Sequence, residues 1–281
     1  MVLANIYRHV KMKLMARYCI LLRSLSLLVA TLLIWPAGQS QEVPRSWPQQ
    51  AFQVGEELRY RIHYGPVTAG RARIAVEGLT RRAGRPVYQA VGTGRSVGMT
   101  DWFFKVRDRY ETYIDTQALL PWEFVRDVQE GGYTIKRHLI FNQTRQRVFD
   151  RKAPAKDSFA LPPFTQDLFS AFYFARSLRT DTLQVGEVIR FPVFLDHKMF
   201  PFNLQFKGRT SLDTKWGRVP ALRFEPAVQE GRVFESEESM TLWVSDDANQ
   251  VPLLIRSQLM VGSIKVALSG FKGLRHRGVL R

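Results

Sequence analysis

The feature that most narrows what this chain can fold into is an internal echo. Gln53-Val54-Gly55-Glu56 recurs as Gln184-Val185-Gly186-Glu187, an offset of 131 (186 − 55). The same offset carries Tyr113-Ile114-Asp115, followed by Pro121, onto Val244-Ser245-Asp246, followed by Pro252. Gly131 falls on Gly262, and Gly84-Arg85-Pro86-Val87 resembles Gly217-Arg218-Val219-Pro220 two residues out of step. Shared turn grammar in unrelated strands can imitate one such match. Several in order, at nearly one offset, indicate two copies of one unit.

The unit is made of strands. Leu58, Tyr60, Ile62 and Tyr64 alternate with Arg59, Arg61 and His63, a period of two with one buried face. Arg71 to Glu77, Val87 to Val91, Phe103 to Tyr113, Trp122 to Val128 and Tyr133 to Phe141 continue the first copy. The second copy offers Val188 to Leu195, Phe202 to Gly208, Ala221 to Val228, Val233 to Val244, Leu253 to Met260 and Ser263 to Phe271. Turn residues punctuate both, among them Gly65-Pro66, Gly131-Gly132 and Asp246-Asp247-Ala248-Asn249.

One helix stands between the copies. Pro162-Pro163 closes an irregular stretch, Thr165 is the expected N-cap, and Phe169, Phe172 and Tyr173 share one face of a helix ending near Arg179. A dozen strands in one sheet tend to curl. The expected fold is therefore mainly β: a curled antiparallel sheet or half-barrel of two tandem repeats, about 52–150 and 183–273. The aromatic helix of the connector, about 151–180, packs on its concave face.

Residues 1–40 read as a signal peptide ahead of a single β domain at 41–281. They hold Arg8, Lys11, Lys13, Arg17 and Arg23 and no acid, then an apolar run from Leu25 to Trp35 ended by Pro36. That run is short for a bilayer span of roughly 20 residues. An uncleaved anchor is the alternative. The expected location is the periplasm or cell envelope. The only cysteine, Cys19, lies inside the signal, so the rest of the chain has no thiol for disulfides, metals or catalysis. Beyond residue 40 there are 36 basic residues (41 − 5) against 25 acidic ones. The excess suits anionic partners such as lipid headgroups or lipopolysaccharide phosphates; nucleic acid does not fit an exported chain.

Gly55-Glu56-Glu57-Leu58-Arg59-Tyr60, Asp167-Leu168-Phe169-Ser170-Ala171-Phe172-Tyr173-Phe174-Ala175-Arg176, Trp243-Val244-Ser245-Asp246-Asp247 and Val261-Gly262-Ser263-Ile264 together resemble an uncharacterised exported bacterial family, domain of unknown function number 3108. The resemblance spans about residues 50–272. It implies an envelope location and no reaction.

No residue pattern announces catalysis. His63, His138, His197 and His276 have no ligand-spaced partners, and no Gly-x-Ser-x-Gly elbow exposes a nucleophile. Asp196-His197 with Ser170 or Ser211 makes no convincing triad. Glu237 and Glu238 would fall on opposite faces of a strand, where they cannot act as a carboxylate pair. Asp246-Asp247 reads as a turn cap rather than a calcium loop. No cofactor and no metal is expected. Trp102-Phe103-Phe104 would place aromatics on both faces of one strand, and Lys198-Met199-Phe200-Pro201 combines a cation with apolar residues. With the helix these give the candidate ligand-binding set: Trp102, Phe104, Phe169, Phe172, Tyr173, Lys198 and Phe200. The expected function is non-catalytic binding or carriage of a lipid-like or amphiphilic anionic ligand. A packed envelope interaction module with a protein partner and, more remotely, a periplasmic hydrolase are the alternatives.

Overall fold

A computed structural model describes residues 45–153, 158–227, 240–259 and 262–280. The reading of residues 1–40, and of the carboxylates Glu237 and Glu238, lies outside the described residues. The described part contains fourteen strands and two helices. The strands of the first repeat are β1 (Glu57–Tyr64), β2 (Val67–Arg82), β3 (Arg85–Ser96), β4 (Val106–Asp115), β5 (Pro121–Glu130) and β6 (Tyr133–Asn142). Two short strands extend it, β7 (Arg147–Asp150) and β8 (Ser158–Ala160). The second repeat holds β9 (Val188–Leu195), β10 (Lys198–Thr214), β11 (Gly217–Pro226), β12 (Met240–Ser245), β13 (Pro252–Gln258) and β14 (Ser263–Lys272). Helix α1 (Met99–Phe103) interrupts the first meander, and α2 (Leu168–Arg176) connects the two.

All fourteen strands form one antiparallel sheet in the order β8-β7-β6-β5-β4-β3-β2-β1-β14-β13-β12-β11-β10-β9. Each repeat is a six-strand meander, and the two join through the β1–β14 ladder. The repeat is visible in the irregularities as well as in the strands. A bulge between Val76 and Gly78 recurs between Phe206 and Gly208, and one between Tyr113 and Ile114 recurs between Trp243 and Val244. Gly55 and Gly186, both at positive φ, donate to Val76 and Phe206 at 2.8 and 2.9 Å. The offset at these bulges is 130 (206 − 76), one less than in the sequence motif.

The ladder between the outermost strands, β8 and β9, stays open, and side chains cover the gap. Phe159 of β8 packs on Phe194 of β9 at 5.5 Å, and Phe194 also meets Phe141 of β6. Gln166 makes a single parallel bridge to β9, with its amide donating to Pro192 (2.9 Å) and its carbonyl accepting from Phe194 (2.8 Å). This use of residues 165–166 delays the helix. The N-cap is Asp167, not Thr165, whose hydroxyl donates to Pro162. Asp167 Oδ1 accepts from the amides of Phe169 and Ser170 at 2.7 and 2.9 Å, and Ser170 Oγ accepts from the Asp167 amide, a full capping box.

A helix of nine residues is marginal by itself. This one is fixed at its C-terminal end by a buried bidentate pair, Arg176 to Glu56 at 2.6 and 2.8 Å. Arg176 also donates to the carbonyls of Asn249 and Ala51. Around it Phe52, Tyr173, Phe174 and Phe191 form an edge-packed aromatic core. Gly92 is a close-approach glycine: a Cβ there would lie 2.0 Å from the Phe169 ring.

The strand expected from Phe103 to Tyr113 begins only at Val106. Trp102 and Phe103 belong to α1, which has no buried residue, and Phe104 is its C-cap. The expectation that Trp102-Phe103-Phe104 places aromatics on both faces of one strand is corrected. Gly98, at φ 59, breaks the ladder before them, and an apolar run alone cannot distinguish a buried strand from an exposed turn of helix.

Candidate functional site

Helix α2 divides its faces between the two repeats. Phe169 reaches the first repeat, stacking on Tyr110 at 5.0 Å over Gly92. Leu168, Ala171, Phe172 and Ala175, at helical spacing, face the second repeat. There they line a cavity of about 460 Å³ with residues of β9 to β13. The opposing wall includes Ile189, Val193, Phe202, Leu204, Leu242 and Ile255. The small Ala171 and Ala175 leave the space that larger residues would fill.

The few polar groups at the wall are already engaged. Arg176 is bonded to Glu56, Gln250 donates to the Leu178 carbonyl at 2.8 Å, and the Thr180 carbonyl accepts from Arg209. What faces the cavity is thus apolar. It runs along the strands from Val244 and Pro252 to Leu195, Phe200 and Met240. The last three lie at the strand ends on the side where α1 leaves the sheet. Phe200 and Met240 are exposed there.

Of the seven residues singled out from the sequence, only Phe172 and Phe200 line this cavity. Phe169 is spent on Tyr110 and Gly92. Tyr173 is fully buried between Phe52 and Phe172, and its hydroxyl has no hydrogen-bond partner among the described residues. Lys198, two residues before Phe200, lies on the same strand face by alternation, nearer the rim. Trp102 and Phe104 stand apart on α1. Sequence reasoning missed Ala171, Ala175 and Leu242. The signal for the alanines was available: small residues at i and i+4 beside a large one, on the helix face turned to one repeat.

The ionisable groups are structural in geometry. Burial pushes the Asp167 carboxyl up to about 6, against the hydrogen bonds from Thr112 and the helix amides that favour its charge. Burial alone would lower the Arg176 pKa, but the adjacent Glu56 charge and hydrogen bonds raise it. Ser170 is consumed by the helix cap. His197 is hydrogen-bonded to Asp150 at 2.9 Å and stacked on Phe159, so neither residue is placed for a triad. His138 meets Glu123 at 2.7 Å. Asp247 caps its turn, accepting from the amides of Asn249 and Gln250, as Asp115 does for Gln117 and Ala118. The partner of Asp115 by role is therefore Asp247, one residue beyond the sequence match.

The chain belongs to the family described as protein of unknown function (DUF3108), whose model matches residues 59–269. No functionally curated protein matches it. Among solved structures it is similar to a β-barrel-like protein of domain of unknown function DUF1849 from Brucella abortus, with a TM-score of 0.51 and 9% identity. The likeness covers 79% of this chain and 98% of that one, and it shows the fold alone. A DUF1089 family protein from Pseudomonas aeruginosa has a TM-score of 0.36 at 15% identity, covering 68% of this chain and 90% of its own. At that score the second likeness carries no weight.

Proposed function

We propose that this member of the family is an exported, non-catalytic envelope protein that holds the apolar part of a lipid-like or amphiphilic anionic ligand between α2 and β9–β13. The observation that carries the reading is the cavity: about 460 Å³, walled by aliphatic and aromatic side chains, with its polar wall groups already paired. Ligand pockets are typically about 300–1,000 Å³ and mostly apolar. A fully packed interaction module would not retain such a space, because interiors pack as densely as organic crystals. Lys198, on the cavity face and nearer the rim than Phe200, would meet an anionic headgroup.

The test is mass spectrometry of protein purified without detergent, under native and denaturing conditions. The expected result is a stoichiometric lipid released on denaturation. Ala175→Phe, which fills the cavity from the helix, should remove that lipid while leaving the circular dichroism spectrum unchanged. An apo mass, with no uptake of lipid from vesicles, would sink the carrier reading.

A further inference from the structure

We infer that the strand ends around α1 form a docking surface for an anionic phospholipid bilayer. This inference stands apart from the cavity's contents. In the antiparallel meander, the β1–β2 turn, the α1 excursion from β3 to β4 and the β5–β6 turn all fall on one rim of the sheet. Large apolar side chains are exposed there: Val67, Met99, Trp102, Phe103, Phe104 and Tyr133, with Trp102 at 88% and Phe103 at 81%. Large exposed apolar patches on folded domains mark interaction sites.

The excursion is held in place rather than loose. Buried Ser96 donates to Asp101 and accepts from the Val106 amide at 2.8 Å. Arg107 grips both Asp101 oxygens at 2.7 and 2.9 Å, and Phe104 lies over Gly131, where a Cβ would clash with its ring. The fold therefore fixes this apolar tip in an outward position.

The second observation is a row of like charge beside the tip, on the outer face. Arg61, Arg71, Arg95 and Arg107 are direct cross-strand neighbours from β1 to β4, on strands spaced about 4.8 Å apart. Like charges placed opposite one another destabilise a sheet. Among the described residues only Arg107 of the four has an acidic partner. Arg61, Arg71 and Arg95 are exposed, and together with Arg59, Arg73 and Arg109 they border a groove of about 690 Å³. Arg95 and Arg107 stand where the chain enters and leaves α1, with exposed Lys105 between α1 and β4.

An aromatic tip flanked by cations matches the two layers of an anionic membrane surface. Aromatic rings settle at the interface, and each arginine near anionic headgroups adds about 1 kcal/mol. Aromatic residues and arginine are also common at protein interfaces, but four adjacent cations in one row suit a uniformly anionic surface. Phe200 and Met240 of the cavity lie on the same rim, so docking there would bring the cavity's exposed end toward the bilayer.

The experiment is flotation with vesicles of phosphatidylcholine alone and of phosphatidylcholine mixed with phosphatidylglycerol. The expected result is binding to the anionic vesicles only, weakening as salt is raised. Trp102→Ser with Phe103→Ser should abolish it. Arg71→Glu with Arg95→Glu should weaken it at least 25-fold, at roughly fivefold for each cation lost. These side chains are exposed, so neither variant should lower the thermal unfolding temperature. Ala175→Phe should bind vesicles like the wild type, which separates this outcome from the fate of the carrier reading. Equal binding to both vesicle types, no binding to either, or binding untouched by both surface variants would overturn the proposal.

Discussion

In the first repeat the interior is filled: Phe169 stacks on Tyr110, and Phe124, Leu139, Phe141 and Val148 close in behind, with Phe194 contributed by β9. In the second, the same helix presents Ala171 and Ala175, and the wall of Leu204, Phe224 and Leu242 faces a cavity. The motif glutamates diverge in the same way. Glu56 is buried against Arg176, whereas Glu187 is exposed and accepts from its own turn's Gln184 amide. One strand plan thus serves two ends. The first copy supplies the buried carboxylate that pairs with the helix, and the second keeps space beside it.

The largest difference between the two repeats is expected from Glu56→Ala against Glu187→Ala. Leaving Arg176 buried without its partner should cost about 3–5 kcal/mol in urea unfolding. The exposed glutamate should change stability by about 0.5 kcal/mol or less. Equal costs would mean the helix is not anchored through the first repeat. Next comes Gly92→Ala, which forces the Phe169 ring from its seat and should cost about 1–3 kcal/mol. Ala175→Leu, on the cavity side of the same helix, should be near neutral or stabilising.

A third test uses Asp167. Burial holds its folded pKa near 6, above the unfolded value, so the folded state binds more protons between about pH 4 and pH 6. This group's contribution to stability is therefore largest below about pH 4 and declines as pH rises to about 6. Asp167→Asn keeps an oxygen for the helix amides and should remove that decline, seen as a flatter melting-temperature profile over that range. Last, Tyr173→Phe deletes a buried hydroxyl with no partner and should be neutral or stabilising by about 1 kcal/mol.

Much of this was legible in the residues. Period-two alternation located nearly every strand, because a sheet with one buried face must alternate. The Gln-Val-Gly-Glu echo found the repeat, because a bulged turn with a positive-φ glycine needs the same residues twice. Capping was half legible. An N-cap side chain was expected two residues too early, since the bridge from Gln166 to β9 depends on a strand far away in sequence. Trp102 and Phe103 were misread because local apolarity does not say which side of the sheet, or which end, a segment occupies.

The strand plan, the repeat, the connecting helix and the excess of arginine follow from local periodicity and composition. Three things waited on the folded chain. Phe172 and Phe200 face one cavity while Phe169 and Tyr173 do not; four arginines from separate strands form one row; and the aromatic run stands at a rim. Each depends on register between strands and on which helix face meets which repeat, and those are settled by packing across the whole sheet rather than by any single stretch of chain.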